Sequence, residues 1–216
     1  MRSDLTELVM ILDMSGSMHS LRDDTIGGYN TLIDEQKKEE GDACVTTVLF
    51  NSDYVMIHDR TDIKDVKPLT EKDYIPSGMT AMLDAVGTAI TSVGKALAAL
   101  PEEERPGKVM VTIITDGYEN ASKEYTWDIV KAMIKEQREK YSWIFTFIGA
   151  DIDTMGVSSN LGIDSRLAKT YTKSGYGAQS VYMSVSNAIK KTRASKDSLS
   201  MDELTAELSA DLDAIE

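Results

Sequence analysis

Asp13, Ser15 and Ser17 stand at alternate positions in Asp13-Met14-Ser15-Gly16-Ser17, directly after the apolar run Leu8–Leu12. In an extended segment that spacing sends three oxygen-bearing side chains to one side and Met14 back toward a core. Gly16 permits the chain to turn there. One carboxylate and two hydroxyls, with neither His nor Cys, form a hard donor set suited to Mg²⁺, Mn²⁺ or Ca²⁺ rather than zinc. Alone the pattern is weak, since Asp and Ser after a strand commonly make a turn or cap a helix. Two further segments strengthen it. Ser77-Gly78-Met79-Thr80 places a hydroxyl at the start of a helical stripe, and Thr115-Asp116-Gly117 places a carboxylate at the end of a second apolar run. Each is ordinary by itself, a cap and a turn. Their coincidence at these strand and helix ends is what points to a cation site.

The elements that must position these residues follow from hydropathy patterning. Leu8–Leu12, Val109–Ile114 and Trp143–Ile148 are apolar at nearly every position, as expected of strands covered on both faces. Leu83, Val86, Ile90, Val93, Leu97 and Leu100 recur at spacings of three and four, one stripe on a helix. Further helices are expected over 22–39, 126–140 and 178–193, with Gly27-Gly28 in the first allowing close approach to a sheet. Strand alternating with helix implies a parallel sheet with helices on both faces. Val45–Phe50 and Tyr54–His58 are separated by only three residues, too few for a crossover, and so predict an antiparallel hairpin at a sheet edge. A short strand near Leu167–Tyr171 completes a three-layer, doubly wound α/β domain over 1–194. In such sheets ligands bind at the carboxyl ends of the parallel strands, where Asp13 and Asp116 fall. Residues 195–216 form an acidic segment in which Met201, Leu204, Leu208, Leu212 and Ile215 make one apolar stripe.

The three motifs together resemble the metal-ion-dependent adhesion site of von Willebrand factor type A domains, the group that includes integrin I domains. The resemblance covers about residues 5–194. It is similar, more closely, to uncharacterised bacterial stand-alone proteins of that family, through Asp24-Thr25-Ile26-Gly27-Gly28-Tyr29-Asn30 and Asp116-Gly117-Tyr118-Glu119-Asn120. It implies a six-stranded, mainly parallel sheet with one antiparallel edge strand. It also implies Ser15, Ser17 and Thr80 as hydroxyl ligands, and Asp13 and Asp116 as ligands directly or through water. Met79 departs from the small residue common before the threonine and adds bulk beside the metal. Gly16, Met18, Gly78, Met79, Gly117, Glu119, Asn120 and Asp151 are candidates for the rim or for a supporting layer, with an ordinary loop role the simpler reading of Glu119, Asn120 and Asp151. Met14 and Met82 are expected in the core, while Met18 and Met79 are open to either rim or core.

Composition narrows the partners. The formal net charge of −13 argues against a phosphate backbone or an anionic lipid surface as ligand. Residues 196–216 carry one lysine against seven acids, so nearly half of that charge belongs to the tail. A single cysteine, Cys44, excludes a disulfide framework and a Cys₄ zinc site, and with no signal-like segment the expectation is a cytoplasmic protein. His19 and His58 are too few and too far apart in sequence for a transition-metal site. Magnesium prefers about six oxygen ligands and would keep a position open to an incoming carboxylate. The expectation is therefore a module, monomeric by itself and not an enzyme, that binds a partner protein donating Asp or Glu. Two alternatives stand beside it: a metal-dependent hydrolase or phosphatase-like enzyme, and a structural subunit whose metal only fastens loops. G-x-S-x-G and Walker motifs are absent, and the position two after Asp13 is Ser15 rather than a second acid.

Overall fold

A computed structural model describes residues 1–195, 199–213 and 215. Strands β1 (Arg2–Asp13), β2 (Asp42–Phe50), β3 (Tyr54–Asp62), β4 (Pro106–Thr115), β5 (Ile144–Ala150) and β6 (Ala168–Tyr171) form one sheet in the order β3-β2-β1-β4-β5-β6. All neighbours run parallel except β2 and β3, the expected hairpin, which lies at one edge. Leu8–Leu12, Val109–Val111 and Phe145–Ile148 are buried because helices cover both faces of the sheet. On one face α1 (Arg22–Gln36) packs on α5 (Gly175–Ala194); on the other, α2 (Met82–Ala99), α3 (Trp127–Tyr141) and α4 (Thr154–Leu161) pack side by side.

The sequence order β1-β2 on one side of β1 and β1-β4 on the other makes the β1/β4 boundary the point where the winding reverses. In doubly wound sheets the connections leave in opposite directions at that point, and ligand-binding residues gather at the carboxyl ends there. The register sets Leu12 beside Ile114, so Asp13 and Thr115 come next in line and Asp116 leaves the sheet one residue later.

Two local features depart from expectation. The chain is not extended through Ser17: Ser15 is the last extended residue, and Gly16–Leu21 coils into a 3-10 helix that leads into α1. That coil carries Met18 inward to full burial, so Met18 belongs to the core rather than to the rim. Gly28 does permit a close approach, but to α5 instead of the sheet. A Cβ there would fall 2.1 Å from the Tyr182 ring, which rests against the glycine.

Beyond α5, the acidic segment forms α6 (Met201–Leu212), started by a capping box in which Ser200 and Glu203 satisfy each other's backbone N–H. Its Leu204, Leu208 and Leu212 are buried, and it packs on α5. Lys191–Asp211 and Arg166–Asp202 ion pairs join it to the domain. Residues 196–198 of the polar connection after α5 lie outside the described residues.

Candidate metal centre

Asp13 ends β1 with no exposed surface. Its Oδ1 accepts the Ser15 backbone N–H at 2.6 Å and its Oδ2 accepts the Thr115 hydroxyl at 2.5 Å. These bonds fix the carboxylate plane while leaving each oxygen a second lone pair. Burial, reinforced by the negative Asp116 nearby, pushes the Asp13 carboxyl up to about 6, although the Thr115 and Ser15 hydrogen bonds pull it back. A buried carboxylate under that strain is stabilised by a nearby cation.

The 3-10 coil after Gly16 brings Ser17 back under Ser15. Their hydroxyl oxygens lie 3.1 Å apart, and Ser17 Oγ donates to Asp116 Oδ1 at 2.5 Å. Thr80 arrives from a different direction. It precedes α2, whose N-cap is Ala81 rather than a threonine, so the hydroxyl does not serve as the helix cap. A Cβ built on Gly117 measures the convergence: it would lie 2.9 Å from Thr80 Oγ1, 3.6 Å from Ser17 Oγ and 3.7 Å from Asp13 Oδ2. Three donors, two from the Asp13–Ser17 segment and one from before α2, thus surround one point that Gly117 leaves open.

The supporting residues are more specific than loop placement suggests. Asn120 holds Thr80 on both sides: its Oδ1 accepts the Thr80 N–H at 2.9 Å, and its own N–H donates to the Thr80 carbonyl at 3.0 Å. Glu119 accepts from Leu83 N in the first turn of α2 and from Ala121 N and Ser122 N of its own loop. Asp84 returns the tie by accepting from the backbone of Lys123, Glu124 and Tyr125. The Asp116–Thr126 loop is therefore strapped to the α2 start. Gly78 adopts φ +72° and its carbonyl accepts the Gly16 N–H, joining the second motif to the first. Tyr74, fully buried, donates its hydroxyl to the Asp13 carbonyl.

Of the remaining candidates, Met79 is exposed at the rim, whereas Met14 and Met82 are buried. Asp151 stands exposed on the same carboxyl rim with φ +51°, oriented to the backbone of Lys173 rather than to the five donors. His58 is buried on the far side of β2, where Tyr29 Oη and its Nδ1 are 3.3 Å apart, and Cys44 is a half-buried thiol. One residue of the site carried no signal in the sequence. Lys173 reaches in from the loop before α5, and its Nζ donates to Asp116 Oδ2 at 2.5 Å and to the Ser17 carbonyl at 2.6 Å.

The residues fit a hard divalent ion. Three hydroxyls and two carboxylates converge, a glycine leaves the space, and an ammonium already sits against one carboxylate. Among the described residues no three His, Cys, Asp or Glu cluster as a metal site, in keeping with a centre built mainly from hydroxyls.

No protein-family model and no curated protein matches the sequence. Solved structures do. A von Willebrand factor type A protein of Catenulispora acidiphila superposes with a TM-score of 0.62 at 14% identity, over 88% of this chain and 43% of that one. Proximal thread matrix protein 1 of the mussel byssus, with a zinc-occupied MIDAS motif, gives 0.60 at 16% identity over 86% and 46%. The manganese-loaded TRAP protein of Plasmodium vivax gives 0.56 at 15% identity over 80% and 70%. The chain spans less than half the length of the first two. At these identities the likeness is one of architecture, and its content is plain: this chain has the von Willebrand factor type A fold.

Proposed function

We propose that the chain is a divalent-cation-dependent protein-binding module. The convergence of Asp13, Ser17 and Thr80 on the space beside Gly117, at the carboxyl rim of the sheet, carries this reading. Ser15, Ser17 and Thr80 would hold the ion with Asp13 and Asp116, and Mg²⁺ is the ion that this all-oxygen set suits best. A cation held by three neutral hydroxyls and only two carboxylates supplies an electrophilic position for an Asp or Glu of the partner. Two of the structures that share the fold hold zinc or manganese, the zinc in a MIDAS motif. Both facts support a metal-binding role without specifying magnesium.

The site is proposed as non-catalytic. Ser15 and Ser17 bond to each other and Ser17 to Asp116, an arrangement that prepares hydroxyl ligands rather than a nucleophile with a histidine base. The exposed Met79 next to Thr80, with Tyr118 beyond Gly117, gives the rim apolar surface for a partner to cover. We place the protein in the cytoplasm, acting as a monomer.

Affinity capture in Mg²⁺ against EDTA tests the proposal, with Ser15→Ala/Ser17→Ala as the control. Partners recovered in Mg²⁺ should be lost in both EDTA and the double variant. Capture that is indifferent to both would end the idea. Melting in Mg²⁺ and in EDTA separates the purely structural alternative, in which the ion raises Tm but no partner responds.

A further inference from the structure

Lys173 occupies a position that a cation site should not leave to chance. It lies in the short connection from β6 to α5, directly before Ser174, whose hydroxyl caps α5 by accepting from Gly177 N. Its side chain is only 27% exposed, and the Asp116 carboxylate that it meets has no exposed surface. With Lys173 on Oδ2 and Ser17 on Oδ1, both oxygens of Asp116 are engaged. The same ammonium takes the Ser17 carbonyl, so it bridges two of the three segments that build the site. Among the described residues it is the one cationic side chain bonded to any of the five donors.

We propose that Lys173 is a tethered cation that competes with the divalent ion for Asp116. This rests on the metal-site reading above and adds to it a built-in rival. The reasoning is electrostatic. Two carboxylates facing each other in a poorly solvated crevice repel, and the lysine offsets that repulsion with one charge. A divalent ion would offset it with two, but it must then share the crevice with a like charge a few ångströms away. Even at high effective dielectric that proximity costs enough to weaken binding about tenfold. The ion is therefore favoured when the lysine arm swings out, which its solvent-facing loop allows.

Two consequences follow from the tether. Apparent metal affinity is lower than the donor set alone would give, so occupancy responds to the concentration of free cation. Metal binding is also felt at the start of α5, because Lys173 and the cap residue Ser174 are adjacent in the chain. The competition links an ion at the β1/β4 rim to α5, which packs beside α1.

The experiment measures Mg²⁺ and Mn²⁺ binding to the full chain by calorimetric titration. The proteins are wild type, Lys173→Gln, Lys173→Arg and Ser15→Ala/Ser17→Ala. Lys173→Gln should bind about tenfold or more tightly, Lys173→Arg should stay near wild type, and the serine variant should lose binding. Equal or weaker binding by Lys173→Gln, with the serine variant still defective, overturns the competition and leaves the metal site standing. Unaltered binding by the serine variant overturns both. A second readout is free of affinity: with an amine-reactive ester and mass spectrometry, Mg²⁺ should raise modification of Lys173 in the wild type but not in the serine variant. A fall, or no change, in wild type counts against release of the arm.

Discussion

Thr80 and Gly117 show how closely the candidate centre is dimensioned. Thr80 is positioned through its backbone by Asn120, and Gly117 keeps the space in front of its hydroxyl clear. Asn120→Ala should leave the fold intact and weaken Mg²⁺ binding by about 10- to 100-fold, the usual penalty for losing a residue that orients a ligand. Calorimetry settles it, and wild-type affinity would remove Asn120 from the site. Gly117→Ala places a methyl 2.9 Å from Thr80 Oγ1. It should abolish the rise in Tm on adding Mg²⁺ while Tm in EDTA changes little; a full metal response would show the ion binding elsewhere. The donors themselves were legible in the sequence because oxygen-bearing types recur at fixed offsets after apolar runs. Lys173 was not, since Thr172-Lys173-Ser174-Gly175 looks like any polar connection and only the tertiary fold brings it to Asp116. The bonds of Asn120 and Glu119 were hidden for the same reason.

At the scale of elements, strands declared themselves by unbroken apolar runs, and the hairpin by a connection too short for anything else. The coil Gly16–Leu21 did not, because six residues of mixed polarity carry no period. Nor did the sequence tell what Gly28 approaches: a glycine in a helix marks a close contact without naming the partner. The two neighbouring glycines of α1 make a controlled comparison. A Cβ at Gly28 would strike the buried Tyr182 ring, whereas at Gly27 it meets nothing within 4 Å. Gly28→Ala should therefore destabilise the fold by about 1–3 kcal/mol through overpacking. Gly27→Ala should be neutral or stabilise by up to about 1 kcal/mol through helix propensity. Urea unfolding of the pair decides, and equal effects would mean that α1 and α5 do not meet as described. The acidic segment could be read as an amphipathic helix, but spacing alone could not choose between packing on the domain, docking on a partner and fraying. Burial of Leu204, Leu208 and Leu212 against the domain is what the structure supplies.

The whole molecule carries a buried charge well away from the candidate centre, and it governs how stability responds to acidity. Glu7 lies in β1 with no exposed surface, bonded by Arg60 Nε at 3.0 Å and by the Thr46 hydroxyl at 3.2 Å. Burial outweighs the attraction of Arg60 and pushes its carboxyl up from 4.5 to about 7. Native protein thus holds a proton that unfolded chain has released, so stability falls as pH rises between those values. The loss amounts to about 3 kcal/mol at most by linkage. Relative to Glu7→Gln, wild type should be more stable at pH 5 than at pH 8, as read from urea midpoints; parallel curves would rule out Glu7 as the source. The net charge of −13 acts at longer range and opposes an acidic partner, so capture should depend far more on divalent cation than on modest monovalent salt. The two margins of the sheet have a further consequence. β6 is only four residues long, and β3 is interrupted by register shifts against β2 and by the left-handed Arg60 at φ +44°, and carries the exposed acids Asp59 and Asp62. Neither margin offers a straight row of free amides and carbonyls onto which another chain could add a strand. A protein with so apolar a sheet is thereby protected from edge-to-edge aggregation, which leaves the rim above β1 and β4 as the proposed surface of contact.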